Sequence, residues 1–193
     1  MKSTLTALIP YSYAPFFRGL HIAVAVLILL QIINSNFIEA ERLNLSSVEG
    51  VITWIHIGSG FLLLFLGWIL LIWMMSQRGF RWYYAWLMLD FSGIKRDIKL
   101  IRQLKLPEAA QGGIAAAIQG AGVLALILVA SSGGIWFLAQ TLLSASSGTA
   151  EYYLGLHKFL TTFIEIYFYA HGAMGLLHIV LSRTAVISGT ENN

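Results

Sequence analysis

Long apolar runs alternate with short polar ones along this chain. Residues 19–38 give 20 consecutive positions without Asp, Glu, Lys or Arg, residues 50–77 give 28, and residues 109–150 give 42. The third run is densest in apolar side chains at 114–138. A fourth, 153–182, is broken only by Lys158 and Glu165. An α-helix rises 1.5 Å per residue, so roughly 20 residues cross the hydrocarbon core of a bilayer. Inside lipid each unpaired backbone group costs several kcal/mol, which makes every span helical. The pattern predicts an all-α integral membrane four-helix bundle in a single domain of residues 1–193. Its spans fall at about 17–38, 51–75, 114–138 and 153–182. Between the second and third lies a polar loop, residues 76–112. There Ile94, Ile98, Ile101 and Leu104 recur at helical spacing with Lys95, Arg96, Lys99, Arg102 and Lys105 between them. Trp82, Tyr83, Tyr84 and Trp86 precede them. This reads as a short interfacial helix on the lipid, entered through an aromatic belt and ended by Pro107. Gly112 and Gly113 form a joint. Ala115, Ala116, Ala117, Gly120, Ala121 and Gly122 then allow close helix packing, and a structural role is expected for the third span.

Composition agrees with a membrane protein. Of 193 residues 58% are apolar and 11% charged, against roughly 25% charged in soluble domains, and the mean hydropathy is +0.74. This excludes disorder and argues against a water-soluble globule. The absence of cysteine removes disulfides, thiolate zinc sites, iron–sulfur ligation and covalent haem attachment. A net charge of +3, from 12 basic and 9 acidic residues, does not describe a nucleic-acid binder. Its distribution carries more information. Residues 78–105 hold Arg78, Arg81, Lys95, Arg96, Lys99, Arg102 and Lys105; Lys2 and Arg18 precede the first span, and Arg183 follows the fourth. Glu39, Glu41, Arg42, Glu49 and Glu151 lie on the other side. The positive-inside rule then predicts cytoplasmic N- and C-termini and a cytoplasmic basic loop. Pro10 and Arg18 keep the first 20 residues from reading as a cleaved signal.

Ionisable groups inside a membrane are functional hypotheses by default. All five histidines, His21, His56, His157, His171 and His178, lie in or at the ends of the spans. His157 and His171 are 14 residues apart on one helix, about 21 Å in depth and within about 40° of one face. His56 matches the depth of His157 near the outer surface, and His21 that of His171 near the inner one. Two imidazoles facing each other can be the axial ligands of a b-type haem, so the square predicts two haem b groups. Zinc would need its imidazoles within one coordination shell, which the 14-residue separation prevents. Gly58 and Gly60 after His56, and Gly172 and Gly175 after His171, are candidates for letting a macrocycle approach the backbone.

The same residues carry a family likeness. Arg18-Gly-Leu-His21 opens the first span, and Ile55-His56-Ile57-Gly58 lies in the second, ahead of the basic loop. His157 and His171 share the last span, with His178 seven residues on, and the run Ser182–Gly189 ends in Ile-Ser-Gly. Over residues 11–189 the chain resembles bacterial cytochrome b561-like proteins. Among them it is similar to the di-haem cytochrome b subunits of membrane-bound nickel–iron hydrogenases and related respiratory dehydrogenases. The resemblance implies two haem b groups, a four-helix core, electron exchange with membrane quinone, and an external redox subunit of hydrogenase or dehydrogenase type. Related subunits often carry Asn-x-x-Gln near the start of the third span, close to the quinone. Here Gln119 is present, but Ala116 stands at the Asn position.

The remaining polar groups have open roles. Arg18 and Arg183 either hold haem propionates or anchor the cytoplasmic surface. Lys158 either meets an outer propionate or snorkels outward. His178 holds a propionate, donates to quinone or is an interfacial histidine. Glu165, near mid-membrane, is a neutral structural contact, part of a proton path or a group near the haems, with Tyr167 and Tyr169 as candidate partners. No side chain is assigned a catalytic role. The expected function is a di-haem b-type cytochrome subunit in the bacterial inner membrane, linking an external redox partner to quinone. The alternatives are a solitary quinone-linked oxidoreductase acting on a small oxidant, and a haem-free anchor or transporter subunit. Membrane lipid and a second copy of the chain are further expected partners.

Overall fold

The computed structural model describes residues 15–38, 43, 45–105, 107, 109–141 and 147–190, the last without the side chains of 147, 178, 179 and 181–190. Among the described residues all regular structure is helical. The elements are α1 (Pro15–Asn34), α2 (Val48–Arg78), α3 (Phe80–Tyr84), α4 (Ser92–Arg102), α5 (Ile114–Thr141) and α6 (Ser147–Thr190). Short 3-10 turns, Ser35–Phe37 and Ala85–Met88, follow α1 and α3. Three stretches, Pro15–Phe37, Val48–Arg78 and Ile114–Thr141, are long and apolar enough to cross a membrane.

Local chemistry sets the ends of α2. Ser47 accepts the Gly50 N–H at 3.1 Å as N-cap, with Glu49 in the first turn. At the far end Gly79 takes φ +77° and donates its N–H to the Met75 carbonyl, a left-handed stop that glycine adopts without strain. Helix α4 stops at Arg102, ahead of Pro107. Gln103 and Leu104 donate back to the Leu100 and Ile101 carbonyls, and Leu104 turns into the left-handed region at φ +57°. The turn itself, not the proline, breaks the helix.

The long helices pack in chain order, α1 on α2, α2 on α5 and α5 on α6, and α6 also touches α1. The core between them is Leu20, Val24 and Ile28 of α1, Leu63, Leu70 and Met74 of α2, Ala116, Val123, Leu126 and Ile127 of α5, and Ile164 of α6. Large apolar side chains also cover the outside, among them Phe65, Ile72, Leu128, Phe159 and Ile166. An apolar exterior on an apolar core is what a helix bundle shows to lipid. The small residues of α5 serve close approach. A Cβ on Gly120 would press on the Tyr84 ring and on the Cβ and carbonyl of Tyr83, and one on Gly122 would collide with the hydroxyl edge of the Tyr167 ring. Tyr84 is buried and donates its hydroxyl to the Gly120 carbonyl at 3.1 Å, tying α3 to α5.

Candidate haem-binding histidine pairs

Helices α1, α2 and α6 carry the four histidines, and their packing brings them together in two pairs. The rings of His56 (α2) and His157 (α6) stand 6.3 Å apart between centroids at 83°. Those of His21 (α1) and His171 (α6) stand 6.0 Å apart at 78°. Two imidazoles bonded end-on to one metal, each at about 2 Å, have centroids roughly 6 Å apart. Both pairs therefore leave the space that a shared iron needs.

At the His56 pair the protein also fixes which nitrogen is available. His157 Nδ1 lies 3.0 Å from the Val129 carbonyl and 3.2 Å from Ser132 Oγ. Ser132 spends its own proton on the Val129 carbonyl at 2.8 Å. A carbonyl only accepts, so His157 Nδ1 is the donor and Nε2 keeps its lone pair. His56 Nδ1 lies 2.7 Å from Asn34 Oδ1, and the same logic frees its Nε2. Gln31 of α1 donates to the His56 carbonyl at 2.9 Å and to Ser59 Oγ at 3.1 Å, which fixes that turn of α2. Each ring is thus oriented by a neighbouring helix, α1 for His56 and α5 for His157. Such support from outside the ligand set sets tautomer and basicity. Helix α5 was expected to be structural; it also supplies this support.

A cavity of about 380 Å³ opens beside the pair, lined among others by Gln31, Thr53, Gly60, Gly133, Lys158 and Glu165. Gly133 gives room at the ring: a Cβ there would come within 2.9 Å of His157 Cε1. The glycines singled out from sequence behave differently. A Cβ on Gly58, Gly172 or Gly175 would meet nothing within 4 Å, and one on Gly60 would meet the Gln31 amide at 3.5 Å. Close packing does not require glycine at those four positions. It does at Gly133, which no pattern in the sequence singled out.

At the other pair each imidazole stacks on an aromatic ring one turn earlier. His171 lies on Tyr167 at 5.1 Å and 10°, and His21 on Phe17 at 6.2 Å and 14°. Tyr167 in turn sits over Gly122 of α5. Tyr167 is therefore a wall of the His171 ring, while Tyr169 is exposed.

Arg18 is half-buried in the first turn of α1, one turn before His21. Lys158 and Glu165 both line the cavity. Gln119 is half-buried on α5, and Ala116, one turn before it, is fully buried. His178 and Arg183 belong to α6, but their side chains lie outside the described residues.

The family model for prokaryotic cytochrome b561 matches residues 12–189. The chain belongs to this family, of membrane haem b electron-transfer proteins. No curated protein and no solved structure matches it.

Proposed function

Starting from membership of the prokaryotic cytochrome b561 family, we propose that this chain is a di-haem b-type cytochrome subunit. In this reading it carries electrons across the bacterial inner membrane between an external redox partner and quinone. The reading rests above all on one observation: two histidine pairs with centroids 6.3 and 6.0 Å apart, drawing on one helix at positions 14 residues apart. Haem b supplies a one-electron iron couple, and the protein supplies ligands, orientation and field. His56 and His157 are the ligands of one group, and His21 and His171 of the other. Asn34, Val129 and Ser132 hold the first two rings in the tautomer that offers Nε2. Arg18, Lys158 and Arg183 are the cations for propionates. His178 and Gln119 are the candidates for propionate or quinone contact at the end of the bundle that holds His21.

The architecture in this reading is a single multi-pass domain with α6 as fourth span, both termini and the loop between α2 and α5 in the cytoplasm. The external partner is of hydrogenase or dehydrogenase type, and a homo-oligomer is compatible with the exposed apolar exterior. The experiment is haem extraction combined with single alanine variants. Two non-covalent haems per chain are expected. His56→Ala and His157→Ala should remove one spectral component, and His21→Ala and His171→Ala the other. His178→Ala should leave both low-spin haems in place. A haem content near zero selects the haem-free anchor or transporter. Loss of a haem in His178→Ala with both kept in His171→Ala overturns the second pairing. Two haems with no redox subunit co-purifying in mild detergent select the solitary oxidoreductase.

A further inference from the structure

Helix α4 presents three separate stripes, because residues three and four apart share a face at about 100° per residue. Gly93, Asp97 and Leu100 form the first. Gly93 and Asp97 are buried against the segment leading into α5. The Asp97 carboxylate accepts the Ile114 N–H at 2.8 Å, so it caps α5 from another helix, and it also holds Arg96 at 3.1 Å. Ile94, Ile98 and Ile101 form the second stripe. It is not the docking face, and Ile98 and Ile101 are exposed. Lys95, Lys99 and Arg102 form the third, rotated further from the docked side, and Lys105 follows. An apolar stripe would normally dock a short helix on its own protein; here a polar contact does so, Ile94 is half-buried, and Ile98 and Ile101 are left uncovered. Nearby, Leu87, Met88, Leu89 and Phe91 are exposed as well, and Leu104 is 98% exposed.

The charge balance on this surface is one-sided. The only acids in residues 78–105 are Asp90 and Asp97. Asp90 accepts the hydroxyl and N–H of Ser92 and pairs with Arg81 at 3.3 Å, which together hold its carboxyl below the ordinary carboxylate range. Asp97 is buried. Among the described residues, none of Lys95, Lys99, Arg102 and Lys105 is in an ion pair. The Asp97 contact with Ile114 holds the helix at the first residue of α5, the start of a stretch long and apolar enough to cross a membrane.

We propose that the Ile98/Ile101 stripe together with Lys95, Lys99, Arg102 and Lys105 is a binding surface for anionic phospholipid. The apolar stripe lies among the first acyl carbons and the cations lie on the headgroups. The proposal rests on the membrane-spanning reading and is independent of the haem assignment.

The test is native mass spectrometry of the full chain in detergent, titrated with phosphatidylglycerol or phosphatidylcholine, with helical circular dichroism and haem absorbance recorded beside each variant. The unaltered chain should bind phosphatidylglycerol at least about tenfold more tightly. Changing Lys95→Gln, Lys99→Gln, Arg102→Gln and Lys105→Gln together should abolish that preference. Ile98→Ser with Ile101→Ser should weaken both lipids and keep their ratio. Should the fourfold variant fail to fold, Lys95→Gln with Lys99→Gln gives a partial loss of the same preference. Equal binding of the two lipids by the unaltered chain overturns the proposal and leaves this face to a protein partner. A preference that survives the charge changes, or full displacement by inorganic phosphate, overturns it too. Absence of haem absorbance from the unaltered chain, with the lipid preference intact, counts against the cofactor reading alone.

Discussion

An imidazole in lipid is informative only once its second nitrogen is accounted for. His56 and His157 each have Nδ1 committed to an oxygen, on Asn34 and on Val129 with Ser132. Donation of the Nδ1 proton to an oxygen raises the basicity of Nε2 and would favour the oxidised state of an iron held there. Asn34→Leu removes the acceptor from His56, so the midpoint potential of one b component should rise on the order of 50 mV, close to a tenfold change in a one-electron equilibrium. The other component should stay where it was. Spectroelectrochemical titration reads both; a shift of both, or of neither, removes Asn34 from the site. A second residue-scale contrast uses glycine. Gly133→Ala would press a methyl group on the His157 ring, whereas Gly172→Ala enters open space. The first should diminish one haem component and the second neither. The histidines were legible in the sequence because ionisable groups stand out in apolar runs. Asn34 and Ser132 were not, since short polar residues occur throughout helices, and a backbone carbonyl such as that of Val129 leaves no sequence signal.

At the scale of elements, the apolar runs announced α1, α2 and α5 because lipid leaves the backbone no alternative to a helix. The polar loop was less legible, because its geometry depends on contacts made elsewhere. The periodic isoleucines of α4 announced a helix correctly, yet they do not show what holds it. Asp97 does, through the Ile114 N–H, and Gly93 and Gly113 make room for it: a Cβ on Gly113 would collide with the Asp97 carboxylate, and one on Gly93 with the Gly112 backbone. From the sequence alone Asp97 is one acid in a basic helix. Asp97→Ala leaves the half-buried Ile114 N–H without its acceptor and should cost on the order of 1 kcal/mol. Gly93→Ala should cost a similar amount through overpacking. Gly155→Ala is the control. It lies within α6 with nothing near its added methyl, so it should be neutral or stabilise by up to about 1 kcal/mol. Thermal unfolding in detergent, followed by helical circular dichroism, checks all three. If Asp97→Ala melts like the unaltered chain, α4 is not held by that carboxylate.

For the molecule as a whole, orientation decides which histidine pair faces which compartment. Seven Lys and Arg residues sit at 78–105, against two acids, and both acids are engaged by neighbouring donors. Moving that loop across an energised membrane would carry its positive charge against the potential, so the loop should stay in the cytoplasm with both termini. His21 and His171 then lie toward the cytoplasm, and His56 and His157 toward the outside. An external redox partner would meet the second pair first. Single cysteines test this directly, because the natural chain has none. Leu104→Cys places a thiol at a fully exposed position without changing any charge, and Ser46→Cys places one in the exposed turn before α2. A membrane-impermeant thiol reagent applied to intact cells should label Ser46→Cys at once and Leu104→Cys only after lysis. The opposite pattern would invert the bundle, exchange the faces of the two pairs and move the partner to the side of α4. The histidine pairing would survive that result, since it depends on depth along α6 and not on direction. The side on which the proposed quinone and external partner would be met changes with it.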